Sequence, residues 1–124
     1  MLKILACIGL GSFLGGIARY GVGKAVVALA GVPTIWGTFA ANMLGCLLIG
    51  LFSGLFDRYD FGGQHWRMFL TVGFCGGFTT FSTFINENYL SMSQGRFFEM
   101  VIYASLSFAL GLALVYAGHS LVCK

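Results

Sequence analysis

The chain has 124 residues, of which 58% are apolar and only 9% charged, with a formal net charge of +3 and a mean hydropathy of +0.88. So few charged residues cannot coat a soluble domain of this size. The composition therefore excludes a soluble globular protein and indicates an integral membrane protein, nearly all of it within the bilayer.

Four spans are predicted. The first covers residues 2–29. Too few residues precede Ile4, and the apolar run is too rich in glycine and lacks a clear small-residue cleavage site, so this start reads as a retained helix rather than a signal peptide. Cys7, Gly11 and Gly15 stand four apart, a small-residue stripe that lets helix backbones approach closely. Arg19, near the end of the span, either snorkels to the interface or lines an electropositive vestibule.

Residues 31–34, Gly-Val-Pro-Thr, break the chain before the second span, 36–56. That span carries another stripe, Gly37, Ala41 and Gly45, with Asn42 on a neighbouring face. An amide at this depth either bonds another helix or touches a polar path. Residues 57–64 form the polar link to the third span, 66–91.

The third span is the informative one. Residues 68–86 are free of charge and about as long as a bilayer crossing requires. In their middle lies Gly73-Phe-Cys-Gly-Gly-Phe-Thr-Thr-Phe-Ser-Thr-Phe84. The expectation is a helix break at Gly76 and Gly77. Irregular backbone at this depth is tolerated only when buried in protein or lining a polar path, which points to a conduit. Thr79, Thr80, Ser82 and Thr83 either back-bond to their own helix or offer hydroxyls to that path. Phe81 and Phe84, at i and i+3, share one face just after the break. Ring edges are electropositive, so rings, hydroxyls and an amide together form a route for a partly dehydrated anion that binds it moderately, as conduction requires. Carbonyls released at residues 76–79 offer the opposite chemistry, a cage for a small hard cation. Glu87, one turn beyond Thr83, is a buried proton-sharing group, a vestibule residue or, if the span ends early, a surface carboxylate.

After a tight turn at 93–96, the fourth span covers 97–121. Ser105, Ala109, Ala113 and Ala117 form a further small-residue stripe, expected to be a packing face. Tyr103 and Ser107 share another face at i and i+4.

An even number of spans places both termini on one side. Lys3, Arg58, Arg67 and Lys124 lie there against Asp57 and Asp60, with Lys24 and Arg96 on the other side and Arg19 deeper. A Lys/Arg difference this small specifies orientation weakly. Both orientations, paired as an antiparallel (dual-topology) homodimer, are the expected form. Cys7, Cys46, Cys75 and Cys123 include no C-x-x-C pair, and His65 and His119 lie near span ends, so neither a zinc site nor a disulfide framework is indicated. No paired carboxylates or nucleophile–base set can be placed at one depth, so an enzyme is not expected.

The Gly73-to-Phe84 run resembles the signature of the Fluc (CrcB) fluoride channels. Gly37-Thr38 followed by Asn42, and Gly15 followed by Arg19-Tyr20, support the resemblance, which extends over essentially the whole chain in length, span count and motif order. It implies a single four-span channel domain over residues 1–124, forming a dual-topology homodimer with two antiparallel fluoride pores in a bacterial inner membrane. It implies passive export of fluoride and a structural sodium ion at the dimer centre, held by backbone carbonyls of Gly76 and Thr79. Carried over by residue, Phe81 and Phe84 are the pore phenylalanines, Asn42 the pore amide, and Ser82 and Thr83 the hydroxyls beside them. Glu87, Tyr103, Ser107 and Arg19 extend the pathway. The family's hydroxyl line continues up the fourth span, where this chain has Gly111 and Val115 instead. Two other readings remain: a small multidrug-type antiporter, whose members share a first-span glutamate that this chain lacks, and a non-transporting structural subunit.

Overall fold

The structure is a computed structural model that describes residues 1–59 and 63–123. Asp60 and Lys124, counted in the charge tally above, lie outside the described residues. Every described element is helical, and four helical stretches are long and apolar enough to cross a membrane: Leu2–Ala30, Thr34–Tyr59, Gly63–Ser93 and Phe97–Val122.

Helix α1 (Leu2–Ala30) ends at Gly31, whose φ of 65° places it in the left-handed region that glycine adopts without penalty. Pro33 then precedes α2 (Thr34–Tyr59). The third span is composite. A turn of α-helix, α3 (Gly63–Arg67), continues as the π-helical segment Met68–Cys75 and one more α-turn, α4 (Gly76–Phe78). After an interruption, α5 (Phe81–Ser93) completes the crossing, and α6 (Phe97–Val122) returns it.

The break does not fall at the glycine pair. Gly76 is helical, with φ −63° and ψ −38°, whereas Thr79 (φ −91°, ψ 158°) and Thr80 (φ −145°, ψ 121°) are extended. Gly77 serves a different purpose: a Cβ there would lie 2.5 Å from the Ser12 carbonyl oxygen, so glycine is what lets α4 press on α1. The same demand falls on Gly11 and Gly15, which are buried against the backbone of the π-helical segment around Phe69 and Phe74. Two helices packed backbone to backbone gain close van der Waals contact that larger side chains would forbid.

Helix α2 is the centre of the bundle. Its Gly37, Ala41 and Gly45 stripe is buried, with Gly37 against Gly23 of α1 and Gly45 against Thr79 and Phe78. Its later glycines, Gly50 and Gly54, meet α6 near Val115 and His119. On α6 the buried positions are Tyr103, Gly111 and Gly118. Ser105, Ala109, Ala113 and Ala117 are exposed, so this stripe is not a packing face within the chain, contrary to the sequence expectation. Helix α6 chooses its inward face by fit to α2, where a Cβ on Gly118 would lie 2.6 Å from the Leu47 carbonyl oxygen. Gly111 is less confined, since a Cβ there would come within 3.2 Å of the Cys46 Sγ, a side-chain contact relieved by a small shift.

One end of the bundle is tied by Asp57, which pairs with Arg67 at 3.5 Å and His119 at 3.1 Å. At the other end Arg96 and Glu99 pair at 3.3 Å across the start of α6.

Candidate functional site at the third-span break

The extended residues between α4 and α5 are held by hydrogen bonds from two directions. Within the span, the Thr79 backbone N–H and side-chain hydroxyl both donate to the Cys75 carbonyl, at 3.0 and 2.9 Å. The Thr80 hydroxyl accepts from the Thr83 N–H at 3.3 Å, capping the first turn of α5. From α2, the Asn42 carboxamide clamps Thr80 on both sides: its Oδ1 accepts from the Thr80 N–H at 2.8 Å, and its Nδ2 donates to the Thr80 carbonyl at 3.1 Å. A side-chain amide reproduces the donor and acceptor of a peptide unit, so Asn42 replaces the helical partners that Thr80 gives up. Arg19 of α1 completes the frame, its Nε donating to the Gly77 carbonyl at 3.3 Å. A guanidinium is favourable where α4 ends, because the terminal carbonyls concentrate negative partial charge.

Beside the break lies an open groove of about 810 Å³. Asn42, Thr79, Thr80, Phe81, Phe84 and Ser107 line it, together with Gly76, and no described residue on its wall is charged. The Phe81 and Phe84 rings stand 6.2 Å apart at 39°. Phe81 is 75% exposed, whereas Phe84 packs on Tyr103 at 5.1 Å. The Ser107 hydroxyl is buried without a hydrogen-bond partner among the described residues.

Glu87 and Tyr103 belong to an adjoining cavity. Both hydroxyl neighbours of Glu87 donate to its carboxylate, Thr38 to Oε2 at 2.8 Å and Tyr103 to Oε1 at 3.0 Å. Of the sequence alternatives, the surface carboxylate is therefore set aside. Arg19 lines a third and smaller cavity with Lys24, Thr38 and Thr80, so Thr80 stands between this basic recess and the neutral groove. Ser82 and Thr83 are on none of these three walls. Ser82 is exposed, and Thr83 enters the geometry through its backbone N–H.

Two contributors were missed as site residues. Thr38 stands four residues before Asn42 and hence on the same face of α2, a spacing that could have disclosed it. The Cys75 carbonyl, which holds Thr79, leaves no mark in the sequence.

Four membrane-length helices around an interrupted third span, with an uncharged phenyl- and hydroxyl-lined groove at the interruption, make this a multi-pass membrane protein. Its lineage is equally definite. The chain belongs to the CrcB family, described as "CrcB-like protein, Camphor Resistance (CrcB)", which residues 6–119 match. Similar relatives include proteins named fluoride-specific ion channel FluC from three bacteria. That of Bacteroides fragilis is 43% identical over 121 residues, covering 94% of each chain. That of Geobacter sulfurreducens is 42% identical, covering 95% of this chain and 94% of the relative. That of Leptospira interrogans is 37% identical, covering 94% and 91%.

Proposed function

We propose that this chain is a fluoride-selective ion channel, not an enzyme, that releases fluoride passively from a bacterial cytoplasm across the inner membrane. The observation that carries the reading is the uncharged groove at the Asn42-clamped break, in a chain related over nearly its full length to proteins named fluoride-specific ion channels. A small, strongly hydrated anion needs donors to replace its water, and ring edges, hydroxyl protons and the second Nδ2 proton of Asn42 supply them without a lysine or arginine in the constriction that would hold it. Ser107 fits this role, since a buried hydroxyl without a partner costs about 1–3 kcal/mol and gains from an anion that accepts its proton. Arg19 and Lys24 attract the anion to the neighbouring recess.

The working form is an antiparallel homodimer. In its support, the groove, Gly76 and the Phe81 ring all lie open on the surface of one chain. Sodium fits the break chemically: the donors are carbonyl oxygens, which suit a hard cation, and Thr79 is extended, so its carbonyl lies outside the helical pattern. Gly76 and Thr79 of two copies would hold the ion, which supplies a fixed positive charge near the anion path. A membrane potential negative inside drives fluoride outward without a nucleotide or a coupled proton.

A fluoride electrode reading efflux from liposomes that contain only the purified chain tests this proposal. Fluoride should leave down its gradient while chloride is retained; equal chloride flux, or no fluoride flux, overturns it. Absence of all flux would return the structural-subunit reading, and proton-coupled uptake of organic cations the antiporter reading.

A further inference from the structure

We infer that the groove beside the third-span break holds a soft monovalent metal ion, of the copper(I) and silver(I) type, bound by Cys46, Cys75 and Met43. All three side chains line that groove. Cys46 and Met43 stand three residues apart on α2 and therefore project from one face, where Cβ atoms lie about 5–6 Å apart. They converge on one notch: a Cβ on Gly111 of α6 would lie 3.2 Å from Cys46 Sγ and 3.6 Å from the terminal methyl of Met43. Glycine leaves that notch unfilled. From the third span, Cys75 reaches the same wall, with its sulfur near enough to that of Cys46 for the two to interact electrostatically. Both thiols are free.

Thiolate and thioether sulfurs are soft, polarisable donors that select copper(I) and its congeners, whereas carbonyl and carboxylate oxygens select hard ions. No carboxylate or imidazole of a described residue lines the groove, so it offers sulfur without the side chains that would divert a harder metal. Sodium at the Gly76 and Thr79 carbonyls draws on oxygen alone and does not compete. On binding, Cys46 and Cys75 each release a proton as a sulfur–metal bond forms, with no change of oxidation state, and Met43 adds a neutral third donor. Two thiolates and one monovalent cation leave a single negative charge, which the ring edges and hydroxyl protons of this groove receive. The same charge, seated on the route proposed for fluoride, obstructs an anion. Binding stands on the sulfurs alone, and only its effect on efflux rests on the proposed function.

Silver(I), added as the nitrate to the purified chain in chloride-free detergent and then dialysed against reduced glutathione, tests the inference, because a monothiol competitor strips silver from isolated cysteines such as Cys7 and Cys123. Elemental analysis should find about one silver ion per chain, retained equally by the Cys7→Ser/Cys123→Ser variant, whereas Cys46→Ser and Cys75→Ser should each bind it at least about tenfold more weakly and Met43→Leu severalfold more weakly. Loss of all silver to glutathione, or parent-like affinity in either Cys46→Ser or Cys75→Ser, overturns the site. Should those variants fail to purify folded, X-ray absorption at the silver edge of the parent decides: a first shell of sulfur alone supports the site, and one containing nitrogen or oxygen overturns it. In liposomes, the silver-loaded parent should pass fluoride at least about tenfold more slowly. Full efflux with the silver still bound leaves the site standing and removes the groove from the fluoride route.

Discussion

Asn42 and the two phenylalanines show how different demands meet in neighbouring side chains. The Asn42 amide spends its Oδ1 and one Nδ2 proton on Thr80. Asn42→Leu would therefore leave a peptide N–H and C=O unpaired at membrane depth, costing roughly 1–3 kcal/mol for each. Asn42→Asp keeps the acceptor but loses the donor and adds a negative charge beside an anion path. Both variants should lose most fluoride efflux in the electrode assay, and full efflux from Asn42→Asp at neutral pH would reduce Asn42 to a structural clamp. For Phe81→Ile and Phe84→Ile, apolar bulk is kept and the ring edge is lost. Efflux should fall at least about tenfold, while the variants elute from a sizing column as the parent does. Unaltered rates in both would make the rings packing groups.

At the scale of the element, the third span owes its shape to contacts on either side of Thr79 and Thr80 rather than to the glycines beside them. Gly77 is confined by Ser12, and a Cβ would lie 2.9 Å from the Ser12 Cα as well. Gly76 has nothing within 4 Å of its added Cβ. Gly77→Val should thus destabilise the chain by about 1–3 kcal/mol through overpacking. Gly76→Ala meets nothing within the single chain, so the monomer's melting in detergent should stay unchanged or rise slightly, as alanine favours helix by about 1 kcal/mol, with any loss confined to pairing with a second copy. Comparing the two melting temperatures checks the assignment, and an equal loss in both would move the break back to the glycine pair. The hydroxyls were legible in the sequence, and back-bonding to the helix, one of the two uses it offered, is what Thr79 does; the capping of α5 by Thr80 was not legible. Thr79 bonds its own helix and Thr80 caps the next, so the two threonines divide the span into halves.

At the scale of the whole molecule, the nearly balanced Lys and Arg content is the feature that bears on assembly. Adding two or three lysines to the turn around Ser93 and Arg96 should drive that loop to the cytoplasm in most molecules. Cells relying on this copy should then lose fluoride resistance, and co-expression of a copy with lysines added at the C-terminus should restore it. Failure to complement would favour a parallel assembly. For the proposed sodium ion, exhaustive replacement by a large organic cation, verified by elemental analysis of the purified protein, should lower efflux severalfold. Undiminished efflux from sodium-free protein would leave the Gly76 and Thr79 carbonyls without a ligand role.

The number of spans, and their bounds to within three residues, were readable from residue order alone, because hydrophobic length is a sum over consecutive residues and needs no knowledge of neighbours; helix reaches into both ends of the expected 57–64 link, through Tyr59 and from Gly63. The presence of a polar interruption in the third span was readable for the same reason. Its position was not: Thr80 is extended because an amide 38 residues earlier in the chain replaces its helical partners. The carboxylate of Glu87 likewise takes its setting from Thr38 and Tyr103, on two other helices. Small residues spaced four apart mark a helix face that could pack, yet which face does so depends on the surface opposite. Helix α6 thus turns Gly111 and Gly118 to α2 and leaves its serine and alanine stripe outside. Residue order sets what each segment offers, and tertiary structure decides which offers meet, because hydrogen bonds and close packing act over a few ångströms between residues remote in the chain.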